Sequence, residues 1–368
     1  MSEQVIKPDL NFVKEIIASG GESLKKCYQC STCTVVCNVT PDDKPFPRKE
    51  MLYAQWGLKD KLISNPDVWL CHQCSDCTAH CPRGAKPGEV LGAIRKMTIK
   101  EYAPVGFLAC MVGDFKYLLL LLALPLIIFL GIIGYRGNLY GFPEGEIVYA
   151  KLIPVPAIDT VFILAASFAA LCFVLGIRKY WNAMSAGATP KGNIVDSIKE
   201  TIIEILAHKR FQKCNVTKAR STSHLLVFYS FAGLAVTTTW AIVYLYGFHW
   251  ESPYPQYDPM KILGNVSAVA LLFGITLVTK NRLDNAEKAG GGSYFDWLFI
   301  AVIYSIVLTG ILSELLRLAD IAPAAYPVYI VHLTSVFFLF AYAPFSKMAH
   351  MVYRTTAMVF ARNAEREK

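Results

Sequence analysis

Six stretches of this chain are apolar enough and long enough to cross a bilayer: roughly residues 116–135, 157–177, 223–247, 261–279, 296–316 and 328–349. About 20 helical residues span the hydrocarbon. Every backbone amide there must be satisfied within its own helix or in a closed barrel. Residues 106–368 are therefore read as a six-helix transmembrane bundle. Composition agrees, since 54% of residues are hydrophobic and 17% charged, against about a quarter charged in ordinary soluble domains. The net charge of +8 does not point to nucleic acid. The basic residues stand in loops between spans, and no basic stripe interleaves with aromatics.

Those loops set an orientation. The segment 178–220 carries Arg178, Lys179, Lys191, Lys199, Lys209, Arg210, Lys213, Lys218 and Arg220. Lys280, Arg282 and Lys288 follow span four, and Arg354, Arg362, Arg366 and Lys368 lie near the C-terminus. The opposite loops hold only Arg136, Lys151, Lys261 and Arg317. Basic residues mark the cytoplasmic side, so both termini are expected there, with the spans in the inner membrane. Within the first basic link, Ile194, Ile198, Ile202 and Ile205 recur at helical spacing. They predict an amphipathic helix on the membrane face, on the cysteine module or against a partner.

Residues 1–105 are polar to mixed and form a separate cytoplasmic module. Its N-terminus, Met1 to Gly20, has no apolar signal-peptide core. A short helix over Leu10, Val13, Ile16 and Ile17 is expected to end at Gly20-Gly21, and another lies around Met51–Trp56. Eight of the 11 cysteines fall in two runs, Cys27-x2-Cys30-x2-Cys33-x3-Cys37 and Cys71-x2-Cys74-x2-Cys77-x3-Cys81-Pro82. This is the spacing of a ferredoxin with two four-iron clusters, in which the fourth cysteine of each run ligates the other cluster. One [4Fe-4S] cluster is thus assigned to Cys27, Cys30, Cys33 and Cys81, the other to Cys71, Cys74, Cys77 and Cys37. Structural zinc uses ligand pairs separated by a longer finger, which these runs do not offer. Asn38 follows the first run where a proline is expected. His72 and His80 read as neighbours of the cluster or surface residues. Cys110, Cys172 and Cys214 read as small apolar residues of core or interface.

Four histidines stand at span ends: His224 and His249 on span three, His332 and His350 on span six. The members of each pair are 25 and 18 residues apart, close to whole numbers of turns, so each pair shares a face. Axial separations are about 37 and about 27 Å. Antiparallel packing would bring His224 to His350 at the cytoplasmic end and His249 to His332 at the far end. One or two b-type haems are expected there. Glu314 and Arg317 near the far end of span five are candidates for a quinone site, and salt bridging to each other or to haem propionates is the competing role.

The runs carry a resemblance. Residues 22–100, with Pro47-Arg48-Lys49 and the stretch WLCHQCSDCTAHCPRG, resemble the C subunit of heterodisulfide reductase. Residues 116–360 resemble its membrane E subunit and the gamma subunit of respiratory nitrate reductase. The order of the fusion is similar to that in the C subunit of quinone-interacting membrane-bound oxidoreductases. The resemblance implies menaquinone or menaquinol exchange at a cytochrome b bundle. It also implies flavin-containing heterodisulfide-reductase-A-like partners and, in sulfate respiration, adenylylsulfate reductase as acceptor. In the nitrate reductase chain, a second histidine follows closely on the earlier haem helix. Here the position ten residues past His224 is Leu234. The expected protein is mainly α: a helical two-cluster ferredoxin module on a six-span cytochrome b bundle, the membrane electron-transfer subunit of a respiratory oxidoreductase. The alternatives are a heterodisulfide-reductase-type subunit with another soluble acceptor, and a haem-free anchor or iron–sulfur-gated sensor.

Overall fold

The structure is a computed structural model and describes residues 7–139, 141–188, 190–213, 219–289 and 291–366. Cys214 lies outside them. Among the described residues all regular structure is helical.

The first helix, Leu10–Ile16, starts where the Asp9 carboxylate accepts from the Phe12 amide at 3.0 Å. This side-chain cap satisfies a donor that the first turn leaves orphaned. The helical path stops at Gly20, whose φ of 107° suits only a residue without Cβ. Helix Arg48–Gln55 begins before the span expected around Met51–Trp56. Helix Pro87–Tyr102 opens on a proline, whose missing N–H costs nothing in the first turn. It buries Val90, Leu91 and Ile94 under the cysteine loops. Phe12, Ile16, Leu24, Met51 and Trp69 of the module share one continuous core with Tyr180, Phe345, Tyr353 and Phe360. The change near residue 105 is therefore a change of composition, and the packing runs straight across it.

Six helices are long and apolar enough to cross a membrane: Phe115–Tyr135, Val155–Ser185, Arg220–Gly247, Pro259–Asp284, Tyr294–Leu318 and Ala322–Ala341. The first five match the expected spans. The sixth does not run over 328–349. It starts earlier and stops at Ala341, because Pro344 cannot donate to the helical ladder and its ring would clash with the carbonyl four residues back. Two 3-10 turns follow, Ala343–Phe345 and Lys347–Ala349, and then a separate C-terminal helix, His350–Asn363. His332 and His350 are thus not on one helix, and their 18-residue spacing does not set a shared face. The joint is fixed from span five. Ser293 and Asp296 form a capping box there, and the Asp296 carboxylate also binds Lys347 at 2.7 Å.

Spans three and four approach closely over small residues. A Cβ on Gly274 would lie 3.0 Å from Leu226 Cβ and 3.1 Å from the Val227 backbone nitrogen. Neither neighbour can rotate away. Gly274→Val is expected to destabilise by about 1–3 kcal/mol through overpacking, read as earlier loss of the monodisperse peak on heating in detergent. An unchanged thermal profile would contradict this packing.

The amphipathic helix forms as Ile194–Leu206. Its polar edge, not its apolar one, faces the protein: Ser197 and Thr201 are buried, and Glu204 pairs with Arg210 at 2.5 Å and with Arg362 of the C-terminal helix. Of the four expected isoleucines, Ile194, Ile198 and Ile202 are exposed while Ile205 packs against the core, and Leu206 is exposed beside them. The Leu206 carbonyl accepts from the Tyr229 hydroxyl of span three at 2.9 Å. An apolar edge turned outward beside the span suits lipid.

Candidate functional site

The two cysteine runs fold alike. In each, the Gln and Ser flanking the second cysteine take left-handed backbone angles: Gln29 and Ser31 at φ 67° and 72°, Gln73 and Ser75 at φ 54° and 69°. Non-glycine residues adopt this region only where the surroundings impose it. The paired kinks bend each loop around its thiols, and one turn of helix, Thr32–Val35 or Asp76–Ala79, carries the chain to the fourth cysteine. Cys27, Cys30, Cys33 and Cys81 line a single pocket, so the fourth thiol comes from the other run. Cys37 lies within electrostatic reach of Cys71 and Cys74, and Cys77 of all three. Backbone amides point at sulfur, from Gln73 to Cys71 at 3.4 Å and from Ala85 to Cys81 at 3.3 Å. Among the described residues no three His, Cys, Asp or Glu side chains close on one point as a single metal ion would require. Two rings of four thiols, with N–H donors aimed at the sulfurs, suit iron–sulfur cubanes.

Burial pushes the Cys33 thiol up to about 11 and Cys37 to about 12. Cys30 is exposed, and hydrogen bonding from Thr32 holds its thiol below the usual value. The thiolate is the nucleophile. In iron-free protein at pH 8, iodoacetamide should therefore label Cys30 first and Cys33, Cys37 and Cys77 last, as followed by mass spectrometry. Uniform labelling would contradict these environments.

The two loops differ in what holds them. The second is bracketed by arginines: Arg210 donates to the Leu70 carbonyl at 3.4 Å, Arg95 to Cys71 at 2.5 Å, and Arg220 to Gln73 at 2.5 Å. Arg354 of the C-terminal helix reaches the His72 ring at 2.7 Å. Only Arg95 belongs to the module; the others come from the membrane part. The first loop receives Arg48 at the Gln29 carbonyl, 3.3 Å, and leaves Tyr28 and Cys30 exposed.

Beneath the second loop the structure gathers His224, His350 and a histidine that the sequence pattern does not single out, His208. The ring nitrogens form a directed chain. His208 Nδ1 donates to the Leu206 carbonyl at 3.2 Å, so its Nε2 accepts from His224 Nδ1 at 3.1 Å. That leaves His224 Nε2 without a hydrogen-bond partner among the described residues. His350 Nδ1 donates to the Lys347 carbonyl at 2.5 Å, leaving its own Nε2 bare. His350 lies within electrostatic range of His224. Burial, with the Lys347 charge second, pushes the His350 imidazole down to about 3 and keeps it neutral. A ligating histidine characteristically donates its other N–H to a carbonyl or similar acceptor, which fixes ring and tautomer. Exposed His80 makes a comparable bond to the Asp76 carbonyl. What sets His224 and His350 apart is a half-buried placement within electrostatic range of each other. Nothing in the sequence around residue 208 marks its role.

The far end departs from expectation. His332 is the eleventh residue of its helix, about 15 Å in from the far end. It faces span five, with Nδ1 on the Ile306 carbonyl at 3.1 Å and beside Gly310. His249 lies past the end of span three, exposed and left-handed at φ 57°. One imidazole stands at the surface and the other deep in the bundle, so the structure does not join them around an iron. Glu314 accepts from Gln256 at 2.5 Å, from Arg317 at 3.2 Å and from Lys261. The competing role, salt bridging, is the one the structure shows for Glu314 and Arg317. Cys172 is buried and Cys110 exposed.

The fold and the paired cysteine loops define a class: a helical membrane protein with an N-terminal two-cluster ferredoxin module. Residues 23–85 match the 4Fe-4S dicluster domain, and residues 111–368 match the family profile of citrate utilization protein B. The chain belongs to the citrate utilization protein B family. It is 26% identical to citrate utilization protein B of Escherichia coli over 91% of this chain and 89% of that protein. The N-terminal part is similar to the C subunit of H(2):CoB-CoM heterodisulfide,ferredoxin reductase of Methanothermobacter marburgensis, 39% identical over 27% of this chain and 52% of the relative. It is also similar to a protein of Archaeoglobus profundus that is like the C subunit of heterodisulfide reductase, 38% identical over 26% of this chain and 52% of the relative. The chain spans about half the length of these heterodisulfide reductase relatives. No solved structure matches.

Proposed function

We propose that this chain is the membrane electron-transfer subunit of an oxidoreductase complex, linking a menaquinone pool to a soluble redox partner on the cytoplasmic side. Cys27, Cys30, Cys33 and Cys81 would hold one [4Fe-4S] cluster, Cys71, Cys74, Cys77 and Cys37 the other, and His224 with His350 a b-type haem. When bound, these groups supply one-electron redox chemistry, which couples two-electron quinol oxidation to single-electron carriers. The observation that carries the reading is the bracket of arginines clamping the second cysteine loop onto the His224–His350 end. The chain's own part is to fix that separation and to exclude water between the two sites.

A single haem, at His224 and His350, is the reading that the exposed placing of His249 and the deep placing of His332 favour. The basic loops support a cytoplasmic position for the ferredoxin module. The N-terminal relatives support a complex with other heterodisulfide-reductase-like subunits, and a flavin-containing, A-like partner is the one the resemblance implies. Adenylylsulfate reductase is the acceptor implied by the fusion order. The relative matched along nearly the whole chain is named for citrate utilization, which favours a partner acting on small carboxylic acids. Haem and iron quantitation on the purified full chain tests the reading. We expect one haem and about eight cluster irons per chain; a preparation with full clusters and no haem contradicts it.

A further inference from the structure

His72 sits between the first two cysteines of the second run and is 5% exposed. The first loop has the exposed Tyr28 at the equivalent place. Arg354 approaches His72 Nδ1 at 2.7 Å. A guanidinium has donors only, so Nδ1 must be the acceptor and the ring proton belongs on Nε2. That Nε2 is buried and finds no partner among the described residues. A buried N–H donor left unmet costs about 1–3 kcal/mol, and native structures rarely tolerate it without a ligand or water.

The surroundings say what kind of acceptor belongs there. The Phe211 ring stands edge-on to His72 at 4.0 Å between centroids and lies 4.8 Å from the His224 ring. Arg210, Arg220 and Arg354 all act on His72 electrostatically, as does His224. Arg95, Arg210 and Arg220 also press on Arg354. Glu204 already serves Arg210, and the unmet donor of His72 beside the Arg354 guanidinium suits a further carboxylate, since a buried donor and a buried cation are both stabilised by an anion between them. The geometry points to His72 as a positioning residue whose Nε2–H donates to a propionate carboxylate of the haem held by His224 and His350. This inference rests on the haem reading above. It adds a continuous contact, from propionate through His72 to the backbone of Cys71, between the membrane site and the second loop.

The test is a redox titration of the haem α-band in the full chain, with the second cluster followed by electron paramagnetic resonance. Removing a donor from the propionate leaves more negative charge beside the iron, so His72→Phe should lower the haem potential. At a poise where wild-type haem is half reduced, the reduced-to-oxidised ratio should fall by about three- to tenfold. His72→Gln keeps an N–H donor and should restore most of it. Arg354→Met leaves the imidazole but removes the contact that fixes its proton, and should move the potential the same way as His72→Phe. It also serves if the Phe variant fails to accumulate. An unmoved haem potential overturns the proposal, and a shifted cluster signal with an unmoved haem would reassign the donor to cluster sulfur. A wild type without haem would overturn the haem reading itself, a result separable from either.

Discussion

Replacing His350 with alanine is expected to abolish haem binding while leaving the cluster irons in place. The effect should be close to all-or-none, because His350 supplies one of the two proposed ligand nitrogens, and His72, which also lies within electrostatic range of His224, is held through its Nδ1 by Arg354. His208 is already committed, holding the His224 ring through its Nδ1. His224→Ala should give the same loss. His208→Ala should be milder, since it removes the acceptor that orients His224 and not a ligand; outer partners of this kind change affinity by about 10- to 100-fold. His249→Ala and His332→Ala should retain haem. Pyridine haemochrome assay beside iron analysis separates these outcomes, and a His249 variant that loses haem would refute the placement.

The second large effect concerns the seam between the two parts. Asp67 is fully buried at the start of the helix before Cys71, where Arg366 grips both its oxygens at 2.8 and 2.7 Å and Lys49 adds a third contact at 2.9 Å. Asp67→Ala strips the anion from Arg366, only 8% exposed, and leaves Lys49 with Glu50 alone at 3.4 Å. Breaking a buried pair from one side costs about 3–5 kcal/mol. We expect a marked fall in thermal stability in detergent, with the second cluster lost before the first, because the C-terminal helix that carries Arg354 would no longer be tied beneath it. Asp67→Asn should lie between. A wild-type melting profile for Asp67→Ala would show that the seam is held elsewhere.

Much of this is legible in the residues. Span positions follow from hydropathy, which lipid enforces without tertiary help, and the cysteine runs announce a two-cluster module through their spacing. Periodicity fails where the chain does not stay helical. Counting 18 residues from His332 to His350 presumes one helix, but Pro344 interrupts it, and each histidine takes a level that spacing cannot give. Placing His249 on span three rests on the same extension, past Gly247. His208 is invisible in the sequence because its role depends on a turn at φ 49° that brings it under span three from a separate segment. The arginines of the 178–220 link read as a topology signal. Two of them, Arg210 and Arg220, also clamp the second loop, and nothing in their spacing distinguishes the two roles. The polar side of the Ile194–Leu206 helix faces inward because Glu204 has arginine partners there, a fact of tertiary placement.

The most direct measurement of the central claim is anaerobic rapid mixing of the oxidised full chain with a soluble menaquinol analogue, recording the haem α-band and the broad cluster absorbance together. The α-band is expected to rise first and cluster bleaching to follow, with both lost in His350→Ala. Cluster reduction that precedes haem reduction, or persists at the wild-type rate in His350→Ala, would contradict it.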